Sequence, residues 1–199
     1  MTHYLYLVRH GEHLDAEHGL EDGPLSPRGR RQAALLADRL SGVPLSSVWH
    51  SPLERAAETA RAVSERLPAL TPQPSALLFD CLPTGMTPDT PSAYEPFFGS
   101  YTDADADAGS AQMGDAVAEF LVRKPDAHEL LITHNFVIAW FVREVLDAPS
   151  WRWLTINQAH CGLTVLAQRP GRPWTVVTHN DLSHLPVELR TGLPDLPPV

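Results

Sequence analysis

The stretch His3-Tyr4-Leu5-Tyr6-Leu7-Val8-Arg9-His10-Gly11-Glu12 changes character abruptly at residue 9. Six residues of strand formers run into a cation, an imidazole, a glycine and a carboxylate. So short an apolar run, closed by charge and glycine, predicts a buried strand over His3–Val8. The polar residues then stand where the chain leaves the sheet.

The same pattern recurs along the chain. Strands are expected over Leu45–His50, Ala76–Phe79 (the weakest), Glu129–Thr133, Cys161–Gln168 and Trp174–His179, the last two joined by the turn Arg169-Pro170-Gly171-Arg172. Helices are expected over Pro27–Leu40, Leu53–Leu67, Ala104–Val122 and Asn135–Leu146. Ser26 before Pro27 is a helix N-cap followed by a first-turn proline. Strands alternating with helices predict a three-layer α/β/α sandwich around a mostly parallel sheet. In such sheets ligands bind beyond the carboxyl ends of the strands. His10 and His134 both follow strands, so both are expected at that edge.

Bulk properties set the limits. The 199 residues fit one domain, drawn over residues 1–186 with a proline-rich tail over 187–199 that is expected to pack loosely. A hydrophobic fraction of 43% suits an ordinary soluble protein, and a net charge of −9 argues against general nucleic-acid binding. No apolar stretch reaches the ~20 residues of a membrane span, and residues 1–4 lack signal-peptide character. Two cysteines make no disulfide framework. A cytoplasmic location is the expectation.

Three segments carry chemistry. In Arg9-His10-Gly11-Glu12 a neutral imidazole can attack phosphorus. The arginine offers a planar fork to phosphate oxygens, and Gly11 permits close backbone approach. In Ser51-Pro52-Leu53-Glu54-Arg55-Ala56-Ala57-Glu58-Thr59, Arg55 lies in the first turn of a helix, where anions are favoured; pairing with Glu58 is its ordinary alternative. In Leu131-Ile132-Thr133-His134-Asn135 a second imidazole closes a strand. The remaining histidines, among them His13 and His160, lack the sequence spacing of metal ligands and are expected at surface or structural positions.

Taken together, these segments resemble the histidine phosphatase superfamily, also called phosphoglycerate-mutase-like. Arg9-His10-Gly11-Glu12 is similar to its signature. Leu25-Ser26-Pro27-Arg28-Gly29-Arg30-Arg31-Gln32-Ala33 and the segment from Ser51 to Thr59 are similar to its next two motifs. The nearest branch is that of the mitochondrial phosphoglycerate-mutase-like Ser/Thr protein phosphatase. The resemblance implies His10 as the nucleophile, Arg9, Arg55 and His134 around the phosphate, and no metal or organic cofactor.

Two departures stand out. The family's acid Glu, laid over Leu82-Pro83-Thr84-Gly85, falls on Thr84, which cannot serve as a general acid near neutral pH. Asp80 is the preferred substitute; Asp89, Glu95 or no acid at all are the alternatives. The family's Asn soon after Arg-His-Gly is also missing from His13-Leu14-Asp15-Ala16. The sequence therefore predicts a phosphatase for a phosphorylated small molecule or phosphopeptide. A phosphoglycerate-type mutase and a phosphate-binding module are the alternatives. The acidic stretch with Asp103, Asp105 and Asp107 disfavours a multiply charged substrate. Tyr94, Phe97, Phe98 and Tyr101 are expected to anchor their loop rather than form an apolar lip. Oligomeric state stays open, with Trp140, Trp151 and Trp153 as a candidate apolar patch.

Overall fold

The computed structural model describes residues 1–14 and 22–193. Asp15 and Ala16, where the family's Asn is missing, lie outside the described residues, as does the last part of the tail, 194–199.

The chain runs β1 (His3–Arg9), α1 (Pro27–Leu40), β2 (Ser47–His50), α2 (Glu54–Arg66), β3 (Gln73–Pro74), α3 (Glu95–Phe98), α4 (Asp103–Phe120), β4 (His128–Thr133), α5 (Asn135–Val145), β5 (Leu163–Gln168) and β6 (Trp174–Asp181). The strands form one sheet in the order β3-β2-β4-β1-β5-β6. β3, β2, β4 and β1 are mutually parallel, while β5 and β6 run antiparallel at the other edge.

β1 lies in the sheet interior and is buried on both faces. Leu5 and Leu7 face a core of α4 and α5 built on Met113, Phe120, Val137 and Phe141. Tyr4, Tyr6 and Val8 face the opposite core, where α1 and α2 bring Leu36, Leu40, Ala56 and Val63. The period of two decides which residue meets which core. α1 buries Gly29, Gln32, Ala33, Leu36, Ala37 and Leu40, one helical stripe. Ser26 caps it as expected, accepting from the Gly29 N–H at 2.9 Å. Gly29 also has a packing reason: a Cβ there would collide with the Glu12 carbonyl.

The expected strand over Ala76–Phe79 is not one. Residues Ala76–Leu78 form a 3₁₀ turn, and the third strand is the two-residue edge element Gln73–Pro74. Pro74 has no N–H to extend a ladder, and the turn drops Leu78 into the core instead. The long loop after it carries a 3₁₀ turn, Ser92–Tyr94, that leads into α3.

Two further expectations fail. Trp153 is only 1% exposed and Trp140 and Trp151 are half-buried under Arg143 and Arg152, so these rings do not make an open apolar patch. The segment after residue 185 does not lie loose, at least to Gly192. Leu185 and Leu189 are buried, and Gln32 donates to the Leu189 carbonyl at 2.7 Å.

Candidate active site

Three parallel strands end side by side. β1 delivers Arg9 and His10, β2 delivers Ser51 and the first turn of α2, and β4 delivers His134 at the start of α5. The backbone stitches them together: His10 N–H donates to the Thr133 carbonyl at 3.0 Å and Ser51 N–H to the Ile132 carbonyl at 2.9 Å. Side chains far apart in sequence therefore meet because their strands stop together.

His10 is buried, and its orientation is determined. Nδ1 lies 2.8 Å from the Gly11 carbonyl oxygen, which can only accept, so Nδ1 carries the proton. Nε2 is left with its lone pair and receives the Arg55 Nε–H at 3.1 Å. Burial, then His134 and Arg9, hold the His10 pKa well below 6.5, so the ring is neutral at physiological pH.

Arg55 sits in the first turn of α2 with its side chain 6% exposed. Nη2 reaches His134 Nδ1 at 3.3 Å and Asp80 Oδ2 at 3.4 Å, and Nη1 lies 3.4 Å from Asp22 Oδ1. It does not pair with Glu58, whose carboxylate accepts from the Leu25 N–H and faces Arg30 and Arg61. Arg55 can only donate, so His134 Nδ1 accepts here and the ring proton faces Ser51 Oγ, 2.8 Å from Nε2; because that hydroxyl can also donate, the proton can move to Nδ1 when Arg55 turns to a phosphate. Burial and then Arg55 and Arg9 hold His134 well below its ordinary pKa too.

Arg9 is fixed from behind. Both Nη1 hydrogens are used, toward the Gln158 carbonyl at 2.9 Å and the Gly192 carbonyl at 2.7 Å. Burial lowers its pKa to about 10, still far above neutral. Glu12 braces the loop, accepting from Ser26 Oγ at 2.8 Å and Arg28 at 3.1 Å.

Asp80 is the expected substitute acid that the fold brings to the cage. Its Oδ2 is 3.6 Å from His134 Nδ1, and 44% of its side chain is exposed at the cleft mouth. Loss of bulk solvent raises its pKa, against the opposing pull of Arg55 and Arg9. Asp89 and Glu95 are exposed and have no contact with the cage among the described residues. Thr84 donates to the Gly85 carbonyl at 3.3 Å.

Gly11 plays a part different from the expected one. Its N–H donates to Thr59 Oγ1 at 3.0 Å, and a Cβ would sit 2.8 Å from the Gly29 carbonyl oxygen. Packing against α1 requires the glycine, and its N–H is already engaged. The expectation for His13 and His160 also needs correcting. One ring nitrogen from each of His10, His13 and His160 lies within 4.8 Å of the others. Sequence spacing missed this because the three come from a strand end, the loop after it and the turn before β5.

From Arg55 and Asp80 a cleft of about 550 Å³ opens along α4, lined mainly by Leu53, Phe79, Leu82, Tyr101, Ala108, Gly109 and Phe136, with Asp105 on its wall. Phe97 and Phe98 instead pack on Trp153 and anchor the loop, as expected; only Tyr101 of the four aromatics faces the cleft.

The mitochondrial Ser/Thr-protein phosphatase Pgam5 of Caenorhabditis elegans is 33% identical to this chain over 196 residues, covering 93% of this chain and 65% of that protein. Human PGAM5 is 30% identical over 190 residues, covering 93% and 64%. The chain thus spans slightly under two thirds of these curated relatives. Among solved structures, YhfR of Bacillus stearothermophilus is 26% identical with a TM-score of 0.73, covering 91% of this chain and 98% of that one. The alpha-ribazole phosphatase of Shigella flexneri shares the fold at a TM-score of 0.73 and 20% identity, covering 96% and 100%. The sequence model of the histidine phosphatase superfamily (branch 1) matches residues 5–81 and 89–182, and the chain belongs to that superfamily.

Proposed function

We propose that the chain is a phosphatase that hydrolyses phosphate monoesters through a phosphohistidine at His10. The observation that carries this reading is the His10 ring: Nδ1–H is tied to the Gly11 carbonyl, and the lone pair on Nε2 faces the cage of cations. A nucleophile needs that lone pair free of a proton, and burial keeps it so.

The reaction takes two displacements. Nε2 of His10 attacks phosphorus, the bond from phosphorus to the ester oxygen breaks, and Asp80 gives its proton to the departing oxygen. Asp80, now a carboxylate, takes a proton from water. The resulting hydroxide attacks the phosphohistidine, the N–P bond breaks with its electrons returning to Nε2, and phosphate leaves. Arg9, Arg55 and His134 hold the three equatorial oxygens, whose charge is the main thing to stabilise in phosphoryl transfer. The raised pKa of Asp80 suits the acid role, since it keeps more of the carboxyl protonated than an ordinary aspartate would. Thr84 supplies no titratable proton.

Phosphatase is favoured over mutase by the cleft. Among the described residues Arg55 is the one basic residue on its wall, and Asp105 adds negative charge. A second phosphate or carboxylate on the substrate meets no second basic side chain among the described lining residues, whereas an apolar organic portion meets Leu53, Leu82 and Phe136. The names of the PGAM5 relatives make phosphopeptides the first substrates to try, alongside small organic esters of similar bulk.

The test is to label the chain with a ³²P-phosphorylated substrate and follow both label and released phosphate. Wild type should carry acid-labile, base-stable label and release phosphate; His10→Asn should do neither. Phosphate release without any label on wild type sinks the phosphohistidine. Faster isomerisation of 3-phosphoglycerate than hydrolysis of esters sinks the phosphatase in favour of the mutase.

A further inference from the structure

His160 enters the site from the turn before β5 and is 5% exposed. Its ring centroid is 5.5 Å from that of His10. Its Nε2 is buried and has no hydrogen-bond partner among the described residues. A buried polar nitrogen without a partner is costly and points to a ligand that completes it.

The identity of that ligand follows from where the protons are. Glu12 N–H donates to Gln32 Oε1 at 2.8 Å, which fixes the amide orientation. The other end, Nε2, then donates to the Leu189 carbonyl at 2.7 Å and to Thr191 Oγ1 at 2.9 Å. Thr191 Oγ1 has accepted one hydrogen and retains its own to give. Among the described residues the only acceptor within its reach is His160 Nδ1, 3.0 Å away, and we take the hydroxyl to donate there. With Nδ1 accepting, the ring proton sits on Nε2, so the unpartnered nitrogen is a donor.

A donor beside the nucleophile calls for an acceptor. We propose that His160 contacts the transferred phosphoryl group, Nε2–H donating to one of its non-bridging oxygens; this rests on reading His10 as the phosphate-accepting residue. The spacing fits. A ring nitrogen of His160 lies within 4.8 Å of one of His10, close enough for an oxygen of a phosphoryl group carried on His10 to stand about 2.9 Å from the His160 N–H. The same segment holds both flanking donors. Gly192, at φ +87°, accepts from Arg9, and a Cβ on it would meet His160 Nδ1 at 2.7 Å and Arg9 Nη1 at 2.9 Å. Three imidazoles at this spacing also suit a zinc ion. One observation favours the anion: Arg9 and Arg55 border the same space, and their positive charge opposes a cation there.

The test measures binding of inorganic phosphate to the full chain by calorimetry, for wild type, His160→Ala, His160→Gln and Thr191→Val. Losing one hydrogen bond to a charged group should weaken binding about 10- to 100-fold in His160→Ala. Gln carries an amide N–H near the former Nε2 and should recover most of that loss. Thr191→Val should cost about threefold, by releasing the tautomer. Equal binding by His160→Ala and wild type overturns the proposal. So does a folded His160→Gln that binds no better than a folded His160→Ala. If His160→Ala fails to fold, Thr191→Val decides, and unchanged binding there overturns it. One equivalent of Zn²⁺ that binds through His160 and excludes phosphate assigns the cluster to a metal and also overturns it. Intact, His160-dependent phosphate binding without ester hydrolysis would sink the proposed phosphatase and leave His160 as a phosphate ligand.

Discussion

The two walls of the cleft are made by different rules. On the sheet side, Arg9, His10, Ser51, Arg55 and His134 issue from three strand ends whose register is fixed by backbone hydrogen bonds. Most of these side chains are buried, and each is held by a named partner. On the other side, Asp80 and Tyr101 sit on a loop and Asp105 in the first turn of α4, with no sheet to align them, and Asp80 keeps 44% of its side chain in contact with solvent. The sheet wall is specified by spacing along the chain. The loop wall is specified by what packs beneath it, chiefly Phe97 and Phe98 on Trp153. On the proposed reading, the first wall holds the phosphate, and the second supplies the acid and chooses the substrate.

Substitutions on each wall can break that division. Arg55→Leu should have the largest effect, lowering kcat/KM by about 10³-fold for every ester, because one preorganised cation is lost from the transition state. A loss confined to some substrates would contradict the division. Asp80→Asn comes next. Hydrolysis of alkyl phosphates should fall about 10²- to 10³-fold, and of p-nitrophenyl phosphate only a few-fold, since that leaving group needs no proton. The wild-type rate of alkyl ester hydrolysis should decline as pH rises through the raised Asp80 pKa, because the acid form is the one consumed. A flat profile with equal losses on both esters would remove Asp80 from proton transfer. Tyr101→Ala should raise KM for aromatic esters about tenfold and leave methyl-type esters nearly unchanged, as loss of apolar contact in one pocket does. Equal effects on both would return Tyr101 to a purely structural role.

The smallest effect concerns stability. His10, His134 and His160 all have folded pKa values held well below 6.5 by burial. The unfolded chain takes up protons on these rings as pH falls below about 6.5 while the folded chain does not, so stability is full above that pH and declines beneath it. Asp80, with its raised pKa, works in the opposite sense but is a single group. The melting temperature should drop by roughly a few degrees between pH 7.5 and 5.5, measured by calorimetry. Asp80→Asn should deepen the drop. A melting temperature that rises on acidification would mean the imidazoles are protonated in the folded state.

The same division separates what was legible in the sequence from what was not. The strand before Arg9, the cap at Ser26 and the apolar stripe from Ala33 to Leu40 obey local rules, and local rules are visible in one dimension. His10, Arg55 and His134 were legible because each directly follows a strand or opens a helix. Ala76–Leu78 was misread because a short apolar run suits a strand and a 3₁₀ turn equally, and only the edge position with Pro74 decides between them. His160 carried no signal at all. Its partner Thr191 lies 31 residues away, and its neighbour His10 is brought close only by the pairing of β1 with β5. Gln32 was seen as part of a motif, but its task of orienting Thr191 required the segment after Leu185 to be docked.

The position of β1 has a consequence for how the molecule comes into being. On the ribosome β1 emerges well before both of its sheet neighbours, β4 and β5, which lie far along the sequence. His3 finds Glu129 across 126 residues, and Arg9 finds Gly192 across 183. Such long loops must close before their contacts repay the entropy, which makes formation of the sheet slow and late. His10, the proposed nucleophile, is therefore translated well before the segments that surround it. A nascent chain stalled before β4 would display an apolar strand with no partner, a natural client for a chaperone.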